Sequence, residues 1–392
     1  MLRLAASICI ALTSFASAQS GPAQPPRPVL RAQALGGDDP LKPQLRLAPK
    51  PAVPLKPAPT LAPLAPIPKI SAPSPLDSKP SGDDALRLQI FLDQAEFGPG
   101  ILDGRPGRFT ELAVQSWNEV NGHPVDDWVA ANTAARAAIQ NPLAIAIVPD
   151  FVNDWVDSKL PTKVSLQAKC KRMSYRSIVE FMSERYHCDI DYLTLINGSA
   201  KINKLVPHDT LLVPNVQPFT IESLTGAGYK ADLTMSQRHA VVDTKINQVR
   251  IFEAAPAALV VAELGATANP ITRPNRGLIA SFPITPGENK FIQFGTWEVR
   301  NSVELPHWRY DQQLLDTGKR SADSKSLEIP PGPNSPVGVF WCGLTKPGIG
   351  MHGTPSPETI GRARSHGCIR MANWDAVRLP TLIRPGTTVE IR

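Results

Sequence analysis

At 392 residues, with 42% apolar and 19% charged side chains, the chain is too long for one ordinary domain, and two to four folded units are expected. Its net charge of +6 is modest for that length and would favour an anionic polymer. No Lys/Arg cluster with interleaved aromatics is present, which argues against nucleic acid as a partner.

The first element is Met1-Leu2-Arg3, an apolar run from Leu4 to Phe15, and Ala16-Ser17-Ala18 ahead of Gln19. A basic start, a short apolar stretch and a small-residue cleavage pattern make residues 1–18 a secretory signal peptide. The run is too short to span a bilayer comfortably, Cys9 within it has no lipobox-like setting, and no later segment is apolar enough to cross. The mature chain is therefore expected to be exported to a periplasm or cell wall, with no integral membrane segment. Export puts Cys170, Cys188, Cys342 and Cys368 where disulfides can form. Cys170 and Cys188 are close enough in sequence to pair, Cys342 in Val339-Phe340-Trp341-Cys342 reads as a buried small hydrophobe, and Cys368 is then the thiol left free.

Residues 19–80 read as a proline-rich, disordered linker, with repeats such as Ala48-Pro49-Lys50-Pro51 and Pro57-Ala58-Pro59. Such a segment neither pairs in sheets nor continues helices, and extends roughly 3 Å per residue where stiff. A small helical unit follows over 81–150. Ala85, Leu88, Leu92 and Ala95 recur at helical spacing behind an Asp cap. After a glycine-rich turn and Thr110, a second helix puts Ala113, Val114, Trp117 and Val120 on one face. A further unit is expected over 160–216, with one helix carrying Tyr175, Ile178, Val179, Met182 and Tyr186 behind Ser174 as cap. A second carries Asp189, Tyr192, Leu193 and Ile196, closed by Asn197-Gly198, and a strand ends at Val213-Pro214-Asn215.

From 235 to 392 the pattern changes to short alternating apolar runs: Ala240–Val242 and Val249–Phe252 as a hairpin, then Leu259–Ala262, Leu278–Phe282, Trp297–Val299, Val337–Trp341 and Thr387–Ile391. Turns rich in Gly, Pro and Asn separate them, so a mostly β domain, an elaborated sandwich or barrel, is expected.

Near the end of that region the chain reads His352-Gly353-Thr354 and then Ser365-His366-Gly367-Cys368-Ile369-Arg370. An unperturbed thiol is only a few per cent thiolate at neutral pH, so Cys368 as a nucleophile needs a base. His366, two residues away, and His352, brought opposite by adjacent strands, are both candidates on sequence alone. Gly367 would let its own N–H and that of Cys368 point at one oxygen as an oxyanion hole. Arg370 could hold a substrate carboxylate in bidentate fashion, or a structural salt bridge instead. A zinc site of His352, His366, Cys368 and Cys342 is the rival from another class, but the familiar short ligand pairs are missing.

Three resemblances emerge from these residues. Leu88-Gln89, Gly100-x-x-Asp103-Gly104, Gly107-x-x-Thr110 and Ala113-Val114 resemble the peptidoglycan-binding three-helix module. The two helices with Asn197-Gly198 and Leu211-Leu212-Val213-Pro214 resemble the LysM module, a strand–helix–helix–strand fold that binds N-acetylglucosamine-containing glycans; its first strand is poorly marked here, and His208 stands where glycine is common. Gly332 to Gly338, Gly348 to Thr354, Ile360-Gly361, Ser365 to Met371 and Asn373-Trp374-Asp375-Ala376 look like the signature of L,D-transpeptidase catalytic domains. One departure is Ile292-Gln293-Phe294-Gly295, where that family often has Thr-Pro-x-Gly before a strand.

The last resemblance implies a cysteine acyltransferase that forms 3→3 peptidoglycan cross-links between stem peptides, without metal or organic cofactor. It assigns Cys368 as nucleophile and His352 as base, oriented by the Gly353 carbonyl, with Ser365, His366, Gly367 and Arg370 shaping the oxyanion and substrate site. An L,D-carboxypeptidase and a non-catalytic wall-binding protein are the alternatives. Glycan strands and stem peptides are the expected partners.

Overall fold

In the computed structural model, residues 73–254, 277–288, 291–311, 313, 327–362 and 367–392 are described, all within one unit of the chain, Ala65–Arg392. The signal peptide, most of the proline-rich segment, the strand candidate 259–262, and Ser365 and His366 lie outside the described residues.

Three helices come first: α1 (Gly82–Gln94), α2 (Arg108–Asn121) and α3 (Trp128–Ala138). The Asp pair falls inside the first turn of α1 behind Ser81, where it suits the positive end of the helix. Thr110 likewise sits within α2, which ends at Gly122 with φ +72°. Asp127 caps α3 by accepting from Ala130 N at 3.0 Å. Leu88, Leu92, Ala113, Val114, Ala131 and Ala135 meet between them, while Val120 is exposed. Buried Gln89 accepts from the backbone of Asp103 and Gly104 at 3.1 and 2.8 Å, pinning the glycine turn after α1. The end of the proline-rich stretch also docks, since Asn132 Nδ2 donates to the carbonyls of Leu76 and Ser78.

A two-stranded antiparallel sheet of β1 (Leu143–Ile147) and β2 (Thr210–Pro214) frames the next part. The strand that sequence reading did not find is thus β1, inside the span given to the helical unit and separated from the helices it accompanies by about thirty residues. Between the strands lie α4 (Val164–Gln167), α5 (Ile178–Arg185), α6 (Ile190–Asn197) and α7 (Ser199–Ile202). The cap of α5 is Ser177, which accepts from Glu180 N, rather than Ser174. Asp189 caps α6, and Asn197 clamps Leu212 by bonding both its N–H and its carbonyl at 2.8 Å. His208 takes φ +72°, a backbone region glycine enters without strain. The expected Cys170–Cys188 bridge is not formed. The Cys188 thiol is buried and donates to Ser183 O, whereas Cys170 donates to Leu166 O and packs beside Leu160, Met173 and Ile329. The two thiols belong to different clusters, which holds them apart.

The remainder is mostly β. Its strands are β3 (Gly228–Tyr229), β4 (His239–Asp243), β5 (Gln248–Phe252), β6 (Leu278–Pro283), β7 (Gly295–Glu304), β8 (Trp308–Tyr310), β9 (Leu327–Ile329), β10 (Phe340–Leu344), β11 (Gly350–His352), β12 (Ile369–Arg370) and β13 (Thr388–Ile391). Among the described residues nine of these form one mixed sheet in the order β12-β11-β10-β7-β13-β4-β5-β6, with β3 beside β7, and β8 pairs β9 separately. The β13–β4 and β11–β12 pairs are parallel and the other pairs antiparallel. Ala240, Val242, Val249, Ile251, Phe282 and Phe340 belong to its core.

The three stretches are fused. The outer edge of β6 is covered by residues 96–98 through Gly98 N to Ser281 O at 2.7 Å and Ser281 N to Glu96 O at 2.9 Å, which satisfies an otherwise open strand edge. One buried apolar cluster draws Leu86 and Ile90 from α1, Phe181 and Leu193 from α5 and α6, and Val339, Ala372 and Trp374 from the last region. At the junction, the buried Asp93 carboxylate accepts from Arg378 at 2.8 Å and meets His187 Nδ1 at 3.1 Å, and the His187 ring stacks on Trp374.

Candidate active site

The site is built at the short parallel pair β11–β12, where Met351 faces Ile369 and His352 faces Arg370. Partners in a parallel pair project to the same face, and side chains alternate along extended backbone. Cys368, one residue ahead of β12, therefore leans to the face that carries Arg370 and His352. Opposite His352 across the antiparallel β10–β11 pair is Trp341, whose ring lies nearly parallel to the imidazole with centroids 5.7 Å apart. Cys342 and Met351 point the other way, into the core. That arrangement removes Cys342 from any ligand set shared with His352. Its thiol, pushed up to about 12 by burial, accepts from Ser302 Oγ instead.

His352 is 4% exposed, and its Nδ1 donates to the Gly353 carbonyl at 2.6 Å. That bond leaves Nε2 as the ring's acceptor, the form a general base requires. Burial pulls the imidazole down to about 4, helped by the Arg370 charge and opposed by the Gly353 bond, so at pH 7 His352 is neutral. The Cys368 thiol donates to Gly348 O at 3.3 Å. Burial pushes it up to about 11, against the pull of a backbone hydrogen bond with Gly350 and of the Arg370 guanidinium. Both shifts disfavour a resting thiolate–imidazolium pair.

Glycines set the backbone around Cys368. Gly367 has φ +115°, closed to L side chains without strain, and the loop after β6 lies directly against it. A Cβ on Gly287 would stand 2.2 Å from Gly367 Cα. Thr285 holds both ends of this arrangement: its backbone exchanges two 2.9 Å bonds with Arg370, and its hydroxyl accepts from Gly361 N at 2.8 Å. Gly361 in turn sits under the ring of Phe109 from α2. The Thr285-Pro286-Gly287 turn, directly after an apolar strand, was the available signal for this wall. The departure noted at 292–295 falls after it and leaves it intact.

Behind His352, buried Asn373 turns its Oδ1 toward Val339 N at 3.1 Å and against Gly338 and Gly353, so that a Cβ on either glycine would fall about 2 Å from it. Its Nδ2 donates to Glu184 Oε1 at 2.7 Å. Sequence reading took Asn373 only as part of a family signature and missed Glu184, whose partner is 189 positions away. Cys368, His352, Gly353, Gly367 and Arg370 are thus brought together, while Ser365 and His366, the other candidate base, fall outside the described residues. Among the described residues no group of three or more His, Cys, Asp or Glu gathers to hold a metal ion, and no helix is long and apolar enough to cross a membrane.

Residues 271–391 match the family model of YkuD, the L,D-transpeptidase catalytic domain. Two proteins named "Putative L,D-transpeptidase YkuD", from Bacillus licheniformis and Bacillus subtilis, are each 46% identical to this chain, over 61 and 59 residues. The aligned part is 16% and 15% of this chain and spans only 37% and 36% of those relatives. Among solved structures, the Enterococcus faecium L,D-transpeptidase C442S mutant aligns at TM-score 0.27 and 16% identity, covering 40% of this chain and 50% of that one. An L,D-transpeptidase from Mycobacterium smegmatis aligns at 0.28 and 13%, covering 48% and 76%. TM-scores at that level do not by themselves establish a common fold. The match to the YkuD catalytic-domain model is confined to the C-terminal region, the part of the chain that contains His352 and Cys368.

Proposed function

We propose that the chain is an exported L,D-transpeptidase that works on peptidoglycan stem peptides through a Cys368 acyl-enzyme. The observation that carries this reading is the His352 Nδ1–Gly353 carbonyl bond at 2.6 Å, which presents a neutral Nε2 on the sheet face shared with Cys368. In the first half-reaction Sγ attacks the carbonyl carbon of the third stem residue while Nε2 takes the thiol proton. The N–H groups of Gly367 and Cys368 receive the developing oxyanion. The bond to the terminal D-alanine nitrogen breaks, the imidazolium returns its proton to that amine, and a thioester remains. A side-chain amine of a second stem then attacks the thioester, Nε2 takes a proton from it, and the thiol is regenerated with a 3→3 cross-link formed. Arg370, half-buried beside Cys368, holds a donor carboxylate.

On this reading the stretches 81–150 and 160–216 are peptidoglycan-binding-like and LysM-like modules that keep the enzyme on glycan strands, and the proline-rich segment gives it reach from the point of export. Mass spectrometry of the purified protein with a disaccharide-tetrapeptide tests the proposal. Dimers lacking one D-alanine are expected from the wild type and not from Cys368→Ala or His352→Ala. Tripeptide monomer alone would replace the transpeptidase by a carboxypeptidase, and an unchanged substrate would leave a wall-binding protein.

A further inference from the structure

We infer that Glu184, on the upstream helix α5, is a positioning residue of the C-terminal active site that acts on His352 through Asn373. The inference rests on the reading of His352 as the base. Glu184 is only 6% exposed and both of its oxygens are engaged: Asn373 Nδ2 donates to Oε1 at 2.7 Å, and the Tyr175 hydroxyl hydrogen-bonds Oε2. An amide side chain has nearly the same shape either way round, so its orientation is set by its partners. Asn373 Nδ2 has two acceptors, Glu184 Oε1 at 2.7 Å and the Pro333 carbonyl at 3.4 Å. The shorter and stronger of them is the carboxyl, which turns Oδ1 toward Val339 N and the two glycines. Gly353 is the one whose carbonyl receives the His352 Nδ1 proton. Turning or losing the Asn373 amide would release the backbone that fixes the imidazole tautomer.

A second set of bonds fastens the same loop to the same upstream segment. Asn334 Nδ2 donates to Glu180 Oε1 at 2.7 Å and to Ser174 O at 2.8 Å. Asn334 N bonds Met173 O, and Met173 N bonds Pro331 O. Gly332 is pressed so closely on Met173 that a Cβ there would lie 2.3 Å from its carbonyl oxygen. The segment leading into β10 is therefore held from outside its own domain, with Glu184 the member of the clamp that reaches the histidine. Burial pushes the Glu184 carboxyl up to about 8, against the Tyr175 and Asn373 bonds, both of which its oxygens accept. Glutamine keeps one such acceptor, its amide oxygen, for Asn373 Nδ2.

The test uses the full chain with Glu184→Gln, Glu184→Leu, Tyr175→Phe and His352→Ala, measuring kcat and KM for D-alanine release from a disaccharide-tetrapeptide. Nitrogen NMR of the 15N-labelled His352 imidazole is run alongside. In the wild type and Glu184→Gln the Nδ1–H tautomer is expected, with kcat equal within about twofold. In Glu184→Leu a tautomer mixture and a kcat lower by about tenfold at unchanged KM are expected, the scale of a small misplacement of a catalytic group. A folded Glu184→Leu that keeps the pure Nδ1–H tautomer, or a Glu184→Gln that behaves like Glu184→Leu, would overturn the inference. If Glu184→Leu does not fold, Tyr175→Phe decides: partial loss of the Nδ1–H tautomer supports the relay and an unchanged spectrum refutes it. His352→Ala at wild-type kcat would sink the assignment of the base instead, whatever the tautomer shows.

Discussion

Gly287 gives the sharpest test of how Cys368, the proposed nucleophile, is held. Its φ is not in the left-handed region, so Gly287→Ala brings no backbone strain and its effect is purely steric. The new Cβ would stand 2.2, 2.5 and 2.7 Å from Cα, N and C of Gly367. All three are backbone atoms, so no rotamer can relieve the clash. Ordinary contact begins at 3.4 Å, so the two loops must part by about 1.2 Å. Gly367 is the residue before Cys368 and supplies one candidate oxyanion donor, and the outward path of the 285–288 loop is blocked by the Thr285–Arg370 bonds. A displacement near 1 Å at reacting atoms costs on the order of 10²-fold in rate, about 2.7 kcal/mol of barrier. Overpacking of this kind costs typically 1–3 kcal/mol in stability, so the protein should still fold. The assay is the single-turnover rate at which a carbapenem acylates Cys368, read as a mass increase with time. Gly228→Ala, whose added Cβ has nothing nearer than 3.9 Å, serves as control and should match the wild type. A Gly287→Ala protein that acylates at the wild-type rate would show that the contact with Gly367 does not position the nucleophile.

Two further outcomes follow from the charges. His352 has a folded pKa of about 4, lowered from 6.5 by burial, so the competent neutral form persists above that value and is lost only as pH falls through it. The acylation rate should stay level on its acid side down to about pH 5 and then drop; a limb centred near 6.5 would mean that the imidazole is solvated in the working enzyme. For Asp93, burial alone would raise the carboxyl, but Arg378 and His187 outweigh it and hold it well below the usual carboxylate range. Arg378→Met leaves that charge buried with only His187 beside it, which costs about 3–5 kcal/mol and roughly 4–7 °C in thermal midpoint for a chain of this size. Differential scanning calorimetry reads this directly, and a drop under 1 °C would show that the ion pair does not hold the junction.

The mostly β character of the C-terminal region was legible because Ala240–Val242, Val249–Phe252 and Leu278–Phe282 have the period of strands and are set off by turns, a purely local signal. The chemical residue types at His352 and Cys368 were equally visible. Their arrangement was not, since the face they share depends on a parallel pairing of two very short strands, β11 and β12. Caps went astray by one turn: Ser174 and Ser177 are interchangeable in sequence, and the Ser174 carbonyl is taken by Asn334, 160 positions away. Strand β1 was hidden because its pattern Leu-Ala-Ile-Ala-Ile has small residues at alternate positions and lies far from β2. Proximity in sequence misled for Cys170 and Cys188, which pack into separate clusters.

Those misses share a cause with the form of the site. Sequence reading divides the chain at its changes of periodicity and so yields separate beads, each with its own small core. Here the cluster containing Phe181, Leu193, Val339 and Trp374 is continuous across those divisions, and the polar groups beside it, Asp93 with Arg378 and Glu184 with Asn373, are bonded across them as well. A buried polar group without its partner costs about 1–3 kcal/mol, so each cross-junction bond penalises any rearrangement that separates the parts. The upstream helices are consequently part of the wall behind His352.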